Sequence, residues 1–147
     1  MGVSANGNSL TKTATSAWGN AGAVSVQGLA SGDGFVEFTA SETTTYRMLG
    51  LSNGNSDQNY TDVDFAIYPA PSGALYVYEK GVSTGTFVSY ATGDKLRVAV
   101  EAGVVRYRKN GTVIYTSTVS PSYPLLVDTA LYSQGATIND AVVGGAW

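Results

Sequence analysis

The stretch that decides the fold reads Asp62-Val63-Asp64-Phe65-Ala66-Ile67-Tyr68, then Pro69-Ala70-Pro71-Ser72-Gly73, then Ala74-Leu75-Tyr76-Val77-Tyr78-Glu79-Lys80. Side chains alternate through both arms with the period of a strand that buries one face. The Pro/Gly-rich segment between them marks a hairpin. With the turn centred on Pro71, antiparallel pairing sets Ala66 opposite Tyr76, Asp64 opposite Tyr78 and Asp62 opposite Lys80. Val63, Phe65, Ile67, Leu75 and Val77 then share a core face. Tyr68, Tyr76, Tyr78, Asp62, Asp64 and Lys80 share the other.

The same period recurs outward along the chain. Strands are expected at 8–13, 22–28, 34–40, 45–51, 62–68, 74–80, 86–90, 95–101, 104–109, 112–118, 125–133 and 137–143. No stretch has helical periodicity, and Gly, Asn, Ser and Asp clusters break the pattern every ~8–12 residues, the spacing of a sandwich or jelly roll. Glu101-Ala102-Gly103-Val104 closes a hairpin with Val98 opposite Tyr107 and Val100 opposite Val105. Asn110-Gly111 suits a type I′ turn, which needs positive φ at both central residues; it sets Tyr107 opposite Ile114 and Arg106 opposite Tyr115. A weaker pairing joins 34–40 to 45–51 and places Glu37 opposite Arg47. Phe65, Ile67, Leu75, Val77, Leu96, Val98, Val100, Val105 and Ile114 are the expected core. With no internal repeat and no linker, residues 1–147 read as one domain.

Composition narrows the function. The chain has 147 residues, enough to bury about two-thirds of its unfolded surface. Charged residues make up 13% and the net charge is −3, which disfavours nucleic acid, since that demands a clustered basic footprint, and disfavours an anionic membrane surface. There is no cysteine and no histidine, so disulfides, thiol catalysis, His-ligated metals and His-based triads are excluded. No run approaches the ~20 apolar residues of a membrane helix. Met1-Gly2 opens directly on domain-like sequence, so the chain is expected to be a module excised from a longer protein. Abundant Gly, Ser, Thr, Asn and Tyr with few Lys and Glu is the composition of extracellular bacterial β domains, so a secreted or extracellular location is expected.

The segment from Gly93-Asp94-Lys95-Leu96 through Val105-Arg106-Tyr107-Arg108-Lys109-Asn110-Gly111 resembles the "GD-x-hydrophobic … V-x-Y/F-x-KNG" stretch of SPRY and concanavalin-like sandwiches. Tyr123 to Tyr132 looks like their next core strand, and the order Gly32-Asp33-Gly34-Phe35-Val36-Glu37-Phe38, then Met48-Leu49-Gly50-Leu51-Ser52, also fits. Most of the chain is similar to β-sandwich modules appended to secreted bacterial polysaccharide-acting and surface proteins. The resemblance implies an all-β, antiparallel two-sheet β-sandwich, a concanavalin-like jelly roll. It also implies a non-catalytic carbohydrate-binding module attached to a glycoside hydrolase or surface protein. No binding residue carries over from it.

The site assignment therefore rests on alternation. Tyr68, Tyr76 and Tyr78 mixed with Asp62, Asp64 and Lys80 would be costly in a core. Aromatic faces stack on sugar rings, and the polar groups meet their hydroxyls. The expected ligand is a plant cell-wall β-glucan: cellulose, mixed-linkage glucan or xyloglucan. The competing reading packs this face beneath a sheet or loop. A second face carries Arg97, Ala99, Glu101, Arg106, Arg108, Val113 and Tyr115; it is an ordinary solvated surface or a uronate site built on arginine. Trp18, in a Gly-rich loop, plugs the end of a sandwich or stacks on a glycan. Trp147 closes the chain with no assigned role.

Asn53 to Asp64 spaces oxygen ligands at alternate positions, but lacks the sixth-position Gly and terminal Glu of an EF-hand loop. A polar turn is expected, with a structural calcium as the alternative and no other cofactor. The strand Asp62-Val63-Asp64 offers no completing Glu for the carboxylate pair of a glycosidase, so no catalytic residue is assigned and the chain is expected not to be an enzyme. The alternative from another class is a protein-interaction or adhesin module of SPRY-like type, reading its partner with loops at one end.

Overall fold

The computed structural model describes residues Met1–Trp147. Thirteen strands form: β1 (Val3–Asn6), β2 (Ser9–Lys12), β3 (Val24–Leu29), β4 (Gly34–Thr39), β5 (Arg47–Ser52), β6 (Phe65–Ala70), β7 (Ala74–Glu79), β8 (Val82–Ser89), β9 (Lys95–Glu101), β10 (Val104–Lys109), β11 (Thr112–Thr116), β12 (Leu125–Leu131) and β13 (Thr137–Gly145). They build two antiparallel sheets. One has seven strands in the order β1-β2-β13-β4-β9-β10-β11, the other six in the order β3-β12-β5-β6-β7-β8. The sheets pack face to face as a concanavalin-like jelly-roll β-sandwich.

The core follows from the alternation. Val36 and Phe38 of β4, Leu96, Val98 and Val100 of β9, and Val105 and Tyr107 of β10 point inward from the larger sheet. Leu49, Leu51, Phe65, Ile67, Leu75 and Val77 meet them from the smaller one, and all are essentially sealed from solvent. Tyr107 carries a polar atom into this layer, and its hydroxyl donates to Glu79 Oε2 on the opposite sheet at 2.9 Å. Burial pushes that hydroxyl well above the ordinary phenol range, and the Glu79 carboxylate adds to the effect.

The β9–β10 register is as expected, with Val98 opposite Tyr107 and Val100 opposite Val105. Four local expectations need correction. The β6–β7 hairpin turns through a tight loop in which Ser72 has φ 63° and Gly73 φ 67°, so Ala66 faces Tyr78 and Tyr68 faces Tyr76. This is a slip of two residues, which keeps every side chain on its face. Val63 lies outside the strand and packs with Met48 and Ala66 on the far side of the sheet from Phe65. In the β10–β11 hairpin a bulge after Tyr107 brings Tyr115, not Ile114, opposite Tyr107, and both Ile114 and Tyr115 pack partly buried against the core. Finally, β4 and β5 belong to different sheets: Glu37 pairs with Arg97, and Arg47 is buried. Strand β1, too short to show a period, had no counterpart in the sequence reading.

Candidate functional site: an aromatic face on the six-stranded sheet

The side chains that leave the core on the six-stranded sheet make a continuous aromatic surface. Tyr68 on β6, Tyr76 on β7 and Phe87 on β8 are successive cross-strand partners. Their ring centroids lie 5.6 and 5.4 Å apart. Tyr78, two residues along β7, meets Tyr68 edge to face at 5.2 Å. The alternation of β6 and β7 alone places these tyrosines, as the sequence predicted.

Loops and strand ends extend the surface. Trp18 stands 5.9 Å from Tyr68, 5.0 Å from Tyr60 and 5.3 Å from Tyr132. Tyr46 closes the circuit at 6.2 Å from Tyr68 and 5.7 Å from Tyr132. Trp18, Tyr46, Tyr68 and Tyr132 together line an open hollow of about 270 Å³, and no charged side chain contributes to it. Six of the chain's ten tyrosines lie on this one face.

Each added residue is held by identifiable chemistry. Trp18 sits on the loop after β2, and the buried Lys12 clips that loop down. Its ammonium donates to the Ala17 carbonyl at 2.7 Å, Asn20 Oδ1 at 2.6 Å and the Leu131 carbonyl at 2.9 Å. Burial lowers the pKa of Lys12, and three acceptors compensate the charge. Tyr46 and Tyr132 flank the paired ends of β5 and β12, where Leu131 faces Arg47. Tyr60 begins a short 3-10 turn, Tyr60–Asp62. Replacing Lys12 with methionine should release the Trp18 loop. The expected result is a rise in exchange of the Trp18 indole N–H, together with a loss of about 1–3 kcal/mol of stability from the orphaned carbonyls. An unchanged indole environment would show that the loop is held by ring packing alone.

The hydroxyls on this face are unspent. The tyrosines whose hydroxyls bond to the protein are Tyr90, Tyr107 and Tyr123, and all lie elsewhere. Tyr68 is the hub of the cluster; burial, then the surrounding tyrosine hydroxyls, raise its pKa, so it stays a neutral donor at any physiological pH.

The polar residues expected beside the tyrosines are placed differently. Asp62 lies in the 3-10 turn, and its carboxylate accepts from the Ser56 amide at 2.8 Å and from the Ser56 hydroxyl. Asp64 precedes β6 and accepts from the Asn53 amide at 2.9 Å. Lys80 occupies the β7–β8 turn with φ 49°, 4.0 Å from Asp64. All three sit at the margin of the face, where the aspartates organise the 53–64 loop. No three carboxylates converge there.

The arginine face on the other sheet is internally paired. Glu101 takes two bonds from Arg108, at 2.8 and 2.7 Å, and Arg106 stands 3.7 Å away. Glu37 binds Arg97 at 2.8 Å, while the Arg97 guanidinium lies 3.7 Å over the Phe35 ring. Hydrogen bonds from Arg108 hold the Glu101 carboxyl below its ordinary range. Trp147 folds back so that its indole donates to the Gly144 carbonyl at 2.6 Å.

Tyr46, Tyr60, Phe87 and Tyr132 were missed, and Trp18, read as an end plug or a glycan-stacking ring, was not joined to this face. For Phe87 a signal existed, since pairing β8 onto β7 extends the row by one strand. The others lie outside the strands: Trp18 in the loop after β2, Tyr60 at the start of the 3-10 turn, and Tyr46 and Tyr132 one residue outside β5 and β12, where alternation no longer fixes a side.

No family model matches the chain, and no curated protein matches it. Solved structures do share its fold. A human SPRY domain has a TM-score of 0.64 at 16% identity, covering 97% of this chain and 94% of that one. The metal-free carbohydrate recognition domain of Emp46p has a TM-score of 0.66 at 11% identity, covering 96% and 84%. The alginate lyase AlgAT5 of polysaccharide lyase family 7 has a TM-score of 0.54 at 14% identity, covering 95% and 69%. The fold is therefore one shared by domains named for carbohydrate recognition, by SPRY domains and by polysaccharide-degrading enzymes. The last likeness corrects the expectation that the chain is not an enzyme, because a lyase carries this same sandwich.

Proposed function

We propose that this chain binds a neutral plant cell-wall polysaccharide, a β-glucan such as cellulose, mixed-linkage glucan or xyloglucan, on the aromatic face of its six-stranded sheet. One observation carries the reading: a registered row of rings, Tyr68, Tyr76 and Phe87, joined to the Trp18 hollow and edged by tyrosine hydroxyls that bond to nothing in the protein. Pyranose rings present C–H faces that stack on aromatics, and their hydroxyls accept from and donate to phenols. Displayed outside the cell beside a second domain, such a face would hold that domain on its substrate by raising effective concentration. The fold alone leaves sugar and protein partners equally open; the aromatic face favours sugar.

Affinity electrophoresis against a panel of soluble polysaccharides tests the reading, with Tyr76→Ala as the decisive variant. By analogy with bases stacking on aromatic side chains, at about 1–3 kcal/mol each, loss of this ring should weaken binding by ~5- to 150-fold. Tyr76 is half-buried at the surface, so the melting temperature should hold. Unaltered binding removes the face from consideration, and a collapse of the melting temperature shows that it is core. Affinity should also be flat between roughly 50 and 500 mM salt, over which the screening length shrinks severalfold. A tenfold loss across that range would instead indicate an acidic ligand on the arginine face.

A further inference from the structure

We infer that the aromatic face takes a single dispersed glycan chain lying across the strands, from the Trp18 hollow over Tyr68 and Tyr76 to Phe87, and does not adhere to a flat crystalline surface. The inference rests on the polysaccharide-binding reading above and fixes the direction and physical form of the ligand.

Direction follows from register. Tyr68, Tyr76 and Phe87 are direct partners on three adjacent strands, so the row runs perpendicular to the strands. Neighbouring strands are about 4.7–4.9 Å apart, and the row repeats at nearly that spacing, comparable to one sugar unit per strand. Along β7 the row itself ends at Tyr78, flanked edge to face by Tyr60 at 6.3 Å; next come Glu79, whose carboxylate is taken by Tyr107, and Lys80 in the turn. At one end of the row the hollow of Trp18, Tyr46, Tyr68 and Tyr132 offers only rings. At the other, Phe87 is 65% exposed on the edge strand β8, with no intramolecular contact but Tyr76 among the rings to account for a phenylalanine there. An edge ring exposed in this way is a cost in solubility unless a partner covers it.

Physical form follows from the ring planes. The planes of Tyr68 and Tyr76 lie at 44° to each other, and those of Tyr76 and Phe87 at 49°. Trp18 stands at 74° to Tyr68. A crystal face presents coplanar sugars and meets coplanar rings; neighbouring rings set at roughly half a right angle to each other cannot both lie flat on such a surface. A single chain, free to rotate about each glycosidic linkage, turns its successive faces to follow them.

Isothermal titration with cellotriose and cellohexaose, and retention on microcrystalline cellulose, test this on the whole chain. The wild type should bind cellohexaose more tightly than cellotriose and should stay in the supernatant of the crystalline slurry. Phe87→Ala should lower cellohexaose affinity by ~5- to 150-fold and leave cellotriose, seated in the hollow and on Tyr68 and Tyr76, within about twofold. Lys80→Asn, which keeps a residue tolerant of positive φ, should change neither. A loss on Lys80→Asn with Phe87→Ala neutral means the chain runs along β7, and overturns the inference while leaving the binding face in place. Retention on crystalline cellulose comparable to cellohexaose binding overturns it too. If Tyr76→Ala also leaves cellohexaose binding intact, or the wild type binds no oligosaccharide, the binding face itself falls and this inference with it.

Discussion

Arg47→Met should cost the fold about 3–5 kcal/mol, the range for breaking a buried ionic network by removing one partner. For a chain of this size, that corresponds to a drop in melting temperature on the order of 10 °C. Arg47 starts β5 and is wholly inaccessible. Its guanidinium donates to the Thr45 carbonyl at 3.1 Å, the Glu42 carbonyl at 2.9 Å, the Thr137 carbonyl at 3.3 Å and the Tyr90 hydroxyl at 2.8 Å. The Glu42 carboxylate stands 3.8 Å from Nε and accepts in turn from the Thr137 amide at 2.8 Å. These bonds tie the 40–46 crossover between the sheets to the start of β13. Methionine fills a similar volume but supplies no donor, so the carbonyls lose their partner in a buried site, while Glu42, partly exposed, keeps its bonds from Thr45 and Thr137. Tyr90→Phe removes one hydroxyl from the same cluster, and should cost no more than about 1–2 kcal/mol. Urea midpoints of the two variants against the wild type give the comparison. Equal, small losses would mean that water enters and replaces the arginine.

The same residue shows where the sequence was legible and where it was not. The interval between 34–40 and 45–51 looks like a hairpin loop, and a charged residue in an alternating run looks like the outer face. Both readings fail because the crossover between sheets is specified by Arg47 finding Glu42, Tyr90 and Thr137, partners up to ninety residues away. The aromatic platform divides in the same way. Tyr68, Tyr76 and Tyr78 were legible because a pleated strand fixes sidedness locally, and an error of two in register leaves it untouched. Asp62 and Asp64 were assigned to the strand because their spacing continues its period. Their carboxylates instead bond the Ser56 and Asn53 amides, and the chain enters a 3-10 turn. Trp18 is carried to the platform by a loop that Lys12, a charged residue buried in a short strand, bonds at Ala17 and Asn20. A lone lysine in a sequence carries no mark of that fate.

Wild-type stability should fall as pH rises from about 4 to about 7, measured against Asp128→Asn. Asp128 lies on β12 opposite Gly50, buried beneath the 53–64 loop. Desolvation is the largest cause raising its pKa from 3.8 to about 7, opposed by bonds from Ser52 and Thr129. The hydrogen bonding points the same way. Ser52 Oγ lies 3.2 Å from Asp128 Oδ2, 3.3 Å from the Asp62 carbonyl and 3.2 Å from the Asp64 amide, which donates to it. A hydroxyl has one proton to give. With Asp128 ionised, that proton serves either the carboxylate or the carbonyl; with Asp128 protonated, the acid donates to Ser52, Ser52 donates to Asp62, and every group is satisfied. Between the unfolded and folded pKa the native state therefore holds more protons, and unfolding free energy declines with pH. The decline is complete above about pH 7, and at about 1.4 kcal/mol per unit it amounts to on the order of 2–4 kcal/mol. Glu101 and Asp94, whose pKa values are lowered, act with the opposite sign and lose their contribution only as pH falls through the acid range. Asp128→Asn keeps the acceptor for the Thr129 amide, supplies a donor to Ser52 and carries no charge. Its stability should match the wild type near pH 4 and exceed it at pH 8. A difference between the two proteins that stays constant across that interval would show that Asp128 is ionised in the fold throughout, and that the loop above it admits the water to keep it so.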